Sequence, residues 1–384
     1  MTPTGPDPTA GADVLVTPPA PPPVATAAPE RAAPERAGPE RAGPDPEAAA
    51  LLDGARTRVD PELRRCVGTL PGQLRRIARY HFGWEDAEGT PTDGNAGKAV
   101  RPALVLAAAR ALGGRPEDAV RAAAAVELAH NFTLLHDDVM DRDATRRHRP
   151  TVWAEFGDAD AILTGDALAA LAQRELVEDA HPAAPRAAAR LAACVIELCA
   201  GQQSDTAMER RAPDEVTLDE CLATAEAKTG ALLGCACALG ALYAGAGEEQ
   251  VAALDAFGRQ AGLAFQLIDD VIGIWGDPRH TGKPAGADLL ARKKSLPVVA
   301  ALGSGTAAGA ELAALYRVPA RSADPGDLER TVLAVEAAGG RDWAQHQAAD
   351  RMGRAVQLLA RALPGPEAAG ELLSLAEFVT RRSA

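Results

Sequence analysis

Apolar residues recur at every third or fourth position over most of this chain, a spacing that is typical of helices. The segments that carry it are rich in Ala and Leu, and none alternates apolar and polar residues as strands joined by hairpin turns would. We therefore expect an all-α fold. Predicted helices cover residues 47–57, 61–82, a segment that begins near Arg101, 117–143, 158–178, 184–206, 217–244, 248–276, 295–303, 307–317, 327–338, 342–362 and 366–381.

The first 46 residues differ from the rest in composition. They contain the run Pro21-Pro22-Pro23, and the motif Pro-Glu-Arg-Ala occurs three times in the stretch that follows. Proline at this density prevents helix formation, and little apolar area is present to offset the entropy cost of ordering. We predict a disordered Pro- and Ala-rich tail over 1–46 and one folded domain over 47–384. The composition favours a neutral linker over a recruitment segment that docks through Val14-Leu15-Val16.

Composition and charge restrict the functional class. The formal net charge of −13 over 384 residues argues against nucleic-acid binding. No apolar run approaches the roughly 18 residues of a membrane span, and the basic and apolar regions of a signal peptide are not seen at the start. We expect a soluble, cytoplasmic protein. The six cysteines lack a CxxC pair, which favours buried reduced thiols over a disulfide or zinc role.

One acidic cluster closes the predicted helix 117–143. Asp137 and Asp141 are four residues apart and share a helix face, with Asp138 beside them. Carboxylates this close repel each other, and oxygen ligands with open positions suit Mg²⁺, which completes its shell with water and substrate phosphates. Glu127 and His130 extend the same stripe, so we expect it to face a functional cavity. The alternative is a solvated acidic helix end, which the helix dipole disfavours.

A second acidic cluster, Asp269-Asp270 with Gln266 before it, lies near the end of the apolar helix 248–276. Acids in a buried helix are costly unless they are paired or hold metal. Taken alone, the cluster would fit a pair of exposed helix-end acids equally well. Together with the first cluster it predicts a metal cage between facing helices.

Basic residues flank both acidic clusters. Each basic residue alone is weak evidence for an anion site, because a surface Lys is usually solvated and an internal Lys often extends its charge to solvent. Lys228 lies within an apolar helix, where a bound phosphate would offset the cost of its charge. Together with the acids, the set fits two diphosphate groups bridged by Mg²⁺. Its members are Lys98, Arg101, Arg146, Arg147, Lys228 and Lys283.

These motifs, in this order, resemble the trans-isoprenyl diphosphate synthase family (polyprenyl synthetases). The resemblance runs from Gly97 to Pro297, and the helical pattern extends it over roughly 50–384. It implies a single large helical bundle with a central cavity, the isoprenoid synthase fold. The first DDxxD motif of the family is matched by Asp137, Asp138 and Asp141.

The resemblance also assigns roles to individual residues. Three Mg²⁺ ions are implied, held by Asp137, Asp141 and Asp269. The further catalytic residues would be Asp138, Asp270 and Lys228. Isopentenyl diphosphate would be bound by Lys98, Arg101, His130 and Arg147. The allylic diphosphate would be bound by Arg146, Lys228, Thr229, Gln266 and Lys283.

Two positions depart from the family pattern. The second motif ends in Gly273 where the family usually has a third Asp, which would weaken the binding of one metal ion while Asp269 is retained. His148 follows the arginine pair where the family often has Gly, and we expect a loop to tolerate it.

The implied reaction is metal-assisted ionisation of an allylic diphosphate, attack by the double bond of isopentenyl diphosphate, and proton removal by the released diphosphate. The positions that precede Asp137 by five and four residues, Phe132 and Thr133, set product length in the family. One aromatic residue at the fifth position resembles short-chain C20 synthases. We predict geranylgeranyl diphosphate as the product, with farnesyl diphosphate second.

Two alternatives remain. A class I terpene cyclase shares the ionisation chemistry but takes no second diphosphate, so the complete set for isopentenyl diphosphate argues against it. A non-catalytic regulatory subunit of a prenyl synthase stays open because of Gly273. The resemblance further implies a homodimer, and tails of this kind suggest loading into a protein shell such as an encapsulin.

Overall fold

The computed structural model describes residues 46–92, 94, 97–277, 286–318 and 326–380. The chain divides into two units, Met1–Ala42 and Gly43–Ala384, and all described residues belong to the second. The predicted tail, up to residue 45, and Lys283 lie outside the described residues.

The second unit is helical, which confirms the predicted all-α class. Its helices are α1 (Pro46–Gly68), α2 (Gly72–His81), α3 (Val100–Ala111), α4 (Val120–Asp141), α5 (Val152–Phe156), α6 (Asp158–Val177), α7 (Ala184–Glu209), α8 (Leu218–Ala225), α9 (Ala231–Tyr243), α10 (Glu248–Trp275), α11 (Ala287–Leu290), α12 (Leu296–Leu302), α13 (Ala307–Tyr316), α14 (Asp327–Ala337), α15 (Gly340–Ala362) and α16 (Gly370–Thr380). Short 3₁₀ turns occupy Pro116–Ala119, Pro213–Glu215 and Pro366–Ala369, and a π-helical turn, Glu226–Gly230, joins α8 to α9. In the described part of the chain, the strands are β1 (Thr145–Arg146) and β2 (Arg149–Pro150), which form one antiparallel hairpin.

The core is built around α9, every residue of which is buried. It packs against α3, α7 and α10. Glycines allow this close approach: a Cβ on Gly258 of α10 would overlap the carbonyl oxygen of Leu233 and lie 2.7 Å from the backbone nitrogen of Gly234. The backbones of α9 and α10 therefore approach closely, and α4 and α7 pack against α9 as well.

The stretch Leu218–Tyr243 is long and apolar enough to cross a membrane, which the sequence prediction overlooked. However, 83% of its most apolar window is buried inside the protein, as expected for a core helix. A second candidate among the described residues would require α12 and α13 to act as one span, although they are bent by 119°.

Two predicted boundaries near the start are wrong. The prediction placed a break between 57 and 61, whereas α1 continues through Pro61 and ends at Gly68. One stripe of α1, including Leu52, Val59 and Leu63, is buried in the core on both sides of this proline. Packing along the whole helix therefore outweighs the hydrogen bond that Pro61 cannot make.

The cysteine prediction also needs one correction. All six cysteines lie in the described part of the chain and all are free thiols. Five are buried as predicted, but Cys199 on α7 is exposed.

Candidate active site

A cavity of about 780 Å³ lies between α4, α7, the π turn and α10. Both acidic clusters reach it: Asp137 and Asp141 from α4, and Asp269 and Asp270 from α10. Two clusters that are more than 120 positions apart in the sequence therefore share one interior space, as their pairing predicted. The cavity lining further includes Arg101, His130, Arg146, Lys228, Thr229, Gln266 and Lys293.

The chain reverses immediately after the first acidic cluster. Arg142 ends α4 with a left-handed backbone conformation, φ 57°, and the hairpin β1–β2 follows. Its two turn residues, Arg147 and His148, have φ of 52° and 63°, which is the two-residue turn with positive φ at both centres that suits the strand twist. His148 adopts a conformation that Gly takes at lower cost. Histidine at this position, where the family often has Gly, is therefore tolerated with some strain.

The hairpin returns Arg146 to the end of α4, where it binds Asp138. Its Nε atom lies 2.8 Å from Oδ1 and 3.1 Å from Oδ2 of Asp138, and its Nη2 atom lies 2.7 Å from Oδ1. The Asp138 side chain is buried in this contact. Asp138 therefore holds the arginine in place, and it is not among the residues that line the large cavity.

Burial disfavours the charge on Asp137. Burial raises its pKa to about 6, and the nearby carboxylates Asp141 and Asp138 add to the shift. Lys228 and Arg146 oppose it. A carboxylate held at this cost gains free energy when a cation joins it.

The donor set fits Mg²⁺. Asp137, Asp141 and Asp269 supply carboxylate oxygens to one cavity, and Mg²⁺ takes few protein oxygens and completes its shell with water and phosphate. Among the described residues, three possible metal ligands lie close together at another place, at Glu62, Cys66 and Glu175. Glu175 there already binds Arg65 and Arg121, so that group is neutralised. The cavity carboxylates are spaced more widely, which suits ions shared with a substrate.

In the second cluster, as in the first, one aspartate is held by other groups of the protein. Both oxygens of Asp270 accept hydrogen bonds, Oδ1 from Gln266 Nε2 at 2.7 Å and Oδ2 from the backbone N–H of Leu296 at 2.9 Å. Thr229 Oγ1 in turn donates to Gln266 Oε1 at 2.7 Å. Burial raises the pKa of Asp270 to about 7, although these hydrogen bonds oppose the shift. Asp270 therefore ties α10 to the start of α12.

Lys228 lies on the π turn between α8 and α9. Its Nζ atom is 2.7 Å from Oδ2 of Asp205 on α7. Burial lowers the pKa of Lys228, but the carboxylates of Asp205 and Asp137 outweigh it, and the net shift is upward. Lys228 is therefore not unpaired, as the prediction of a bound phosphate assumed, because Asp205 is its partner within the protein.

The residues assigned to isopentenyl diphosphate are divided between two cavities. Lys98 and Arg147 line a smaller cavity of about 380 Å³, together with His81. Arg101 and His130 line the large cavity. Arg146 borders both, so the two spaces adjoin at this arginine.

The polar stripe predicted on α4 is only partly correct. His130, Leu134, Asp137 and Asp141 line the large cavity, but Glu127 is buried. Its side-chain Oε1 and its carbonyl oxygen both accept from the amide of Asn131. Glu127 supports Asn131 and does not face the substrate space.

The predicted chain-length positions also line the large cavity. Phe132 is buried and its ring lies 5.5 Å from that of His136, edge to face. Thr133 Oγ1 donates to the carbonyl oxygen of His130 at 2.7 Å. His136 is packed so closely on α6 that a Cβ on Gly165 would overlap its imidazole ring. Phe132 and His136 thus form an aromatic pair against the cavity.

Several charged residues of the large cavity were missed, and Lys293 and Asp205 are two of them. Lys293 precedes α12, and Asp205 is the partner of Lys228. The signal for Lys293 was the pair Lys293-Lys294 directly before Ser295-Leu296-Pro297. The signal for Asp205 was the polar run from Gln202, which interrupts an otherwise Ala-rich helix.

The chain is similar to known proteins over most of its length. Residues 91–335 match the polyprenyl synthetase family. The chain is 49% identical over 334 residues to the geranylgeranyl diphosphate synthase of Mycobacterium tuberculosis, which covers 87% of this chain and 93% of that protein. It is 44% identical over 332 residues to the (2E,6E)-farnesyl diphosphate synthase of Mycobacterium bovis, covering 86% and 92%. The solved structure of a polyprenyl synthetase from Streptomyces coelicolor matches with a TM-score of 0.82 at 44% identity, covering 86% of this chain and 99% of that one.

Proposed function

Because this chain belongs to the polyprenyl synthetase family, we propose that it is a short-chain prenyltransferase that condenses isopentenyl diphosphate with allylic diphosphates. The observation that carries the proposal is the large cavity, which joins two carboxylate clusters and several cations and adjoins a second basic cavity. Two diphosphates in adjacent sites are what the condensation requires. The product we propose is geranylgeranyl diphosphate, with farnesyl diphosphate second.

The metal belongs to this proposal. Members of the family depend on Mg²⁺, and we propose three ions, held by Asp137, Asp141 and Asp269. When bound, they would neutralise negative charge on the leaving diphosphate.

The chain's own cations would also neutralise negative charge on the leaving diphosphate. Lys228 and Arg146 both line the large cavity, and each is held by one carboxylate, Asp205 or Asp138. A cation fixed before substrate arrives needs no reorganisation when the carbon–oxygen bond of the allylic substrate breaks. The Thr229 hydroxyl and the Gln266 amide present dipoles to the carbocation that forms. Lys283, outside the described residues, is assigned to the same diphosphate.

The second substrate is held by the basic residues around the small cavity. We assign Lys98 and Arg147 to its diphosphate, with Arg101 and His130 on the side of the large cavity. Burial and the charge of Arg101 lower the pKa of His130 well below its usual value, so its imidazole is neutral and binds through hydrogen bonds. The double bond attacks the cation, and the proton then lost is taken by the released diphosphate.

The experiment is a product assay with the purified chain, Mg²⁺ and isopentenyl diphosphate, offering C5, C10 and C15 allylic diphosphates separately. A linear C20 diphosphate supports the proposal in full. A C15 product keeps the reaction and refutes the product length. Hydrocarbon formed without isopentenyl diphosphate would indicate a terpene cyclase, and no turnover by the chain alone would indicate a regulatory subunit.

Product length is proposed to depend on Phe132. Its buried ring lines the large cavity beside His136, and we propose that it limits the length of the growing chain, so Phe132→Ala should lengthen the product beyond that of the unmodified chain. Thr133→Phe, the matched change on the next residue, should shorten it toward C15. Chromatography of the dephosphorylated products measures both. An unchanged distribution of product lengths in Phe132→Ala would show that this ring does not limit product length.

Three further statements about the whole protein are proposals. We propose a homodimer, a cytoplasmic location, and a tail over 1–46 that serves as a linker or loads the protein into a shell such as an encapsulin. If deletion of 1–46 leaves every co-purifying protein unchanged, the loading role is wrong.

A further inference from the structure

Helix α16 lies along α3 in the opposite direction. Near its start, Glu371 forms an ion pair with Arg110 in the last turn of α3, and Oε2 of Glu371 lies 2.7 Å from Nε of Arg110. Near its end, the ring of Phe378 lies beside Lys98, which precedes α3. These contacts at opposite ends of α3 place the last turns of α16 where the segment that carries Lys98 enters α3.

Core packing keeps α16 in this position. Leu372 and Leu375 are 0% exposed and belong to the same hydrophobic cluster as Val105 of α3. Phe378 is half-buried and packs against that cluster. Because Leu375 is buried one turn before Phe378, the ring has little freedom to move. The place of the ring is thus set by the core of the protein.

The ring of Phe378 interacts with the ammonium group of Lys98. The Nζ atom of Lys98 lies 5.4 Å from the ring centroid, within the roughly 6 Å over which an aromatic ring attracts a cation. Lys98 lines the small cavity, whereas Phe378 is not among the described residues that line either cavity. Phe378 therefore acts on a ligand of the small cavity through Lys98.

The backbone beside Lys98 is held by another element, α1. The Nη2 atom of Arg56 donates to the carbonyl oxygen of Gly97 at 3.0 Å. A Cβ on Gly97 would lie 2.5 Å from Nη2 of Arg147, so glycine leaves room for that guanidinium group. With the backbone held, the long side chain of Lys98 is the part that must be ordered when an anion binds. The ring of Phe378 restricts this side chain in advance.

We propose that Phe378 is a positioning residue for isopentenyl diphosphate: its ring holds the ammonium group of Lys98 at the small cavity, where the diphosphate of this substrate binds. The inference rests on the proposed function. A lysine that is already held at the site loses less conformational entropy when it binds the diphosphate. Helix α16 thereby becomes part of the site for the second substrate.

The contact is tested on Lys98 itself by NMR. The chain has five lysines, so protein labelled with ¹³C at lysine Cε gives few signals, and the one missing in Lys98→Arg belongs to Lys98. The ring current of Phe378 should displace this signal from the position of a solvated lysine. The displacement should disappear in Phe378→Leu and persist in Phe378→Tyr, while the other lysine signals stay in place. A Lys98 signal that does not move in Phe378→Leu would overturn the inference.

The kinetic test separates the ring from the packing of α16. Phe378→Leu should raise KM for isopentenyl diphosphate about two- to fivefold, the fold-change that corresponds to an exposed cation–π contact, and leave KM for the allylic diphosphate nearly unchanged. Phe378→Tyr should retain the KM of the unmodified chain. The matched control is Leu373→Ala, because Leu373 is also half-buried on α16 and packs on the same cluster. It should lower Tm without changing KM.

A graded series of rings distinguishes attraction by the π electrons from packing. Phenylalanines with one, two or three fluorine atoms, incorporated at position 378, differ little in size but attract a cation progressively less, because fluorine withdraws electrons from the ring. KM for isopentenyl diphosphate should rise in that order. The same KM for all three rings would contradict the proposed role of the ring.

A double-mutant cycle identifies Lys98 as the residue through which the ring acts. In a Lys98→Met background, which has no charge for the ring to attract, Phe378→Leu should have no further effect on KM for isopentenyl diphosphate. A second loss of the same size would overturn the inference.

The results keep the two proposals apart. No product from the unmodified chain would overturn the proposed function, yet the lysine spectrum, which needs no turnover, would still test the contact. Conversely, an active chain in which Phe378→Leu leaves KM for isopentenyl diphosphate unaltered would overturn the positioning role and leave the proposed function intact.

Discussion

Asp137 lines the large cavity, whereas the carboxylate of its neighbour Asp138 is buried against Arg146. Successive side chains of a helix point about 100° apart, so adjacent residues of one motif face different surroundings. The pair Asp269-Asp270 is divided in the same way, because both oxygens of Asp270 accept hydrogen bonds from Gln266 and Leu296. In each cluster one aspartate, Asp138 or Asp270, is held by hydrogen bonds within the protein, while other carboxylates of the cluster line the cavity.

Substitutions at Asp137 and Asp138 should therefore have different kinetic signatures. Asp137→Asn should lower kcat about 10²–10³-fold and raise the Mg²⁺ concentration that gives half-maximal rate. Asp138→Asn should mainly raise KM for the allylic diphosphate, because it releases Arg146. Initial rates over a range of Mg²⁺ concentrations measure both. Equal shifts in Mg²⁺ dependence would contradict the division of roles.

His81 makes stability depend on pH. Its Nε2 atom lies 3.0 Å from Asn131 Oδ1, and because the Asn131 amide donates to Glu127, this network assigns the proton to Nε2. Burial, with the charges of Arg147 and Arg146, lowers the pKa of His81 to about 3. The unfolded state, with a pKa near 6.5, binds more protons between these values. The contribution of neutral His81 to the free energy of unfolding is therefore complete above about pH 6.5 and is lost as the pH falls toward 3.

We expect the free energy of unfolding to fall less steeply with acid in His81→Gln than in the unmodified chain. Gln retains a donor for Asn131 but does not titrate. The difference in slope should remain below about 1.4 kcal/mol per pH unit, because His81 is half-buried and borders the small cavity. Urea unfolding between pH 5 and pH 7, a range of about two units within this window, measures it. Parallel pH profiles would refute the assignment.

Helix packing at α9 and α10 depends on glycines that face each other. A Cβ on Gly258 would meet backbone atoms of Leu233 and Gly234, which cannot move as a side chain can. Gly258→Ala should therefore reduce the free energy of unfolding by about 1–3 kcal/mol. Gly353→Ala is the matched control, because nothing lies within 4 Å of its Cβ and the position is an exposed site in α15. It should stabilise by about 0.5–1 kcal/mol. Urea unfolding of both compares them, and equal effects would contradict close packing as the cause.

The π turn is the element that most affects the site. The sequence predicts one continuous helix over 217–244, and its apolar pattern does run through without a break. The structure places a wider turn at Glu226–Gly230, where Lys228 and Thr229 lie. A wider turn changes the direction of the residues that follow, and π turns are frequent at functional sites. Packing decides this feature too: a Cβ on Gly201 of α7 would lie only 2.8 Å from the backbone nitrogen of Lys228.

At the scale of the whole molecule, α6 and α7 present apolar side chains to the surface. Leu163 is 55% exposed and Ile196 is 71% exposed, and the two helices contact each other. Large apolar residues exposed on adjoining helices favour association. We expect this face to form the interface of the proposed homodimer.

Ile196→Glu should therefore convert the dimer to a monomer, because a charge would be buried in an apolar interface. Light scattering after size-exclusion chromatography measures the mass. Leu333→Glu is the control, since Leu333 on α14 is also exposed, at 59%, but lies on another element. A monomeric unmodified chain would contradict the homodimer, and dissociation by both variants would contradict this interface.

The all-α class and most helices were predictable from the sequence alone, because helix formation is governed by local periodicity and by residues three and four apart. The family was predictable as well, since Asp137, Asp141, Lys228 and Asp269 follow one another in the order and spacing of its motifs. Both predictions are confirmed. The errors were local: a break was predicted between residues 57 and 61, where core packing continues one helix through Pro61.

What only the tertiary structure decided is which partner each charged side chain has. Asp205 for Lys228, Arg146 for Asp138, and Phe378 for Lys98 all join residues from different elements or turns. Such pairings depend on how the helices are rotated and spaced against one another, which is set by long-range packing of backbones and buried side chains. The sequence thus determined which residues form helices and which chemistry they carry, whereas the packing of those helices determined which carboxylates are available to a substrate.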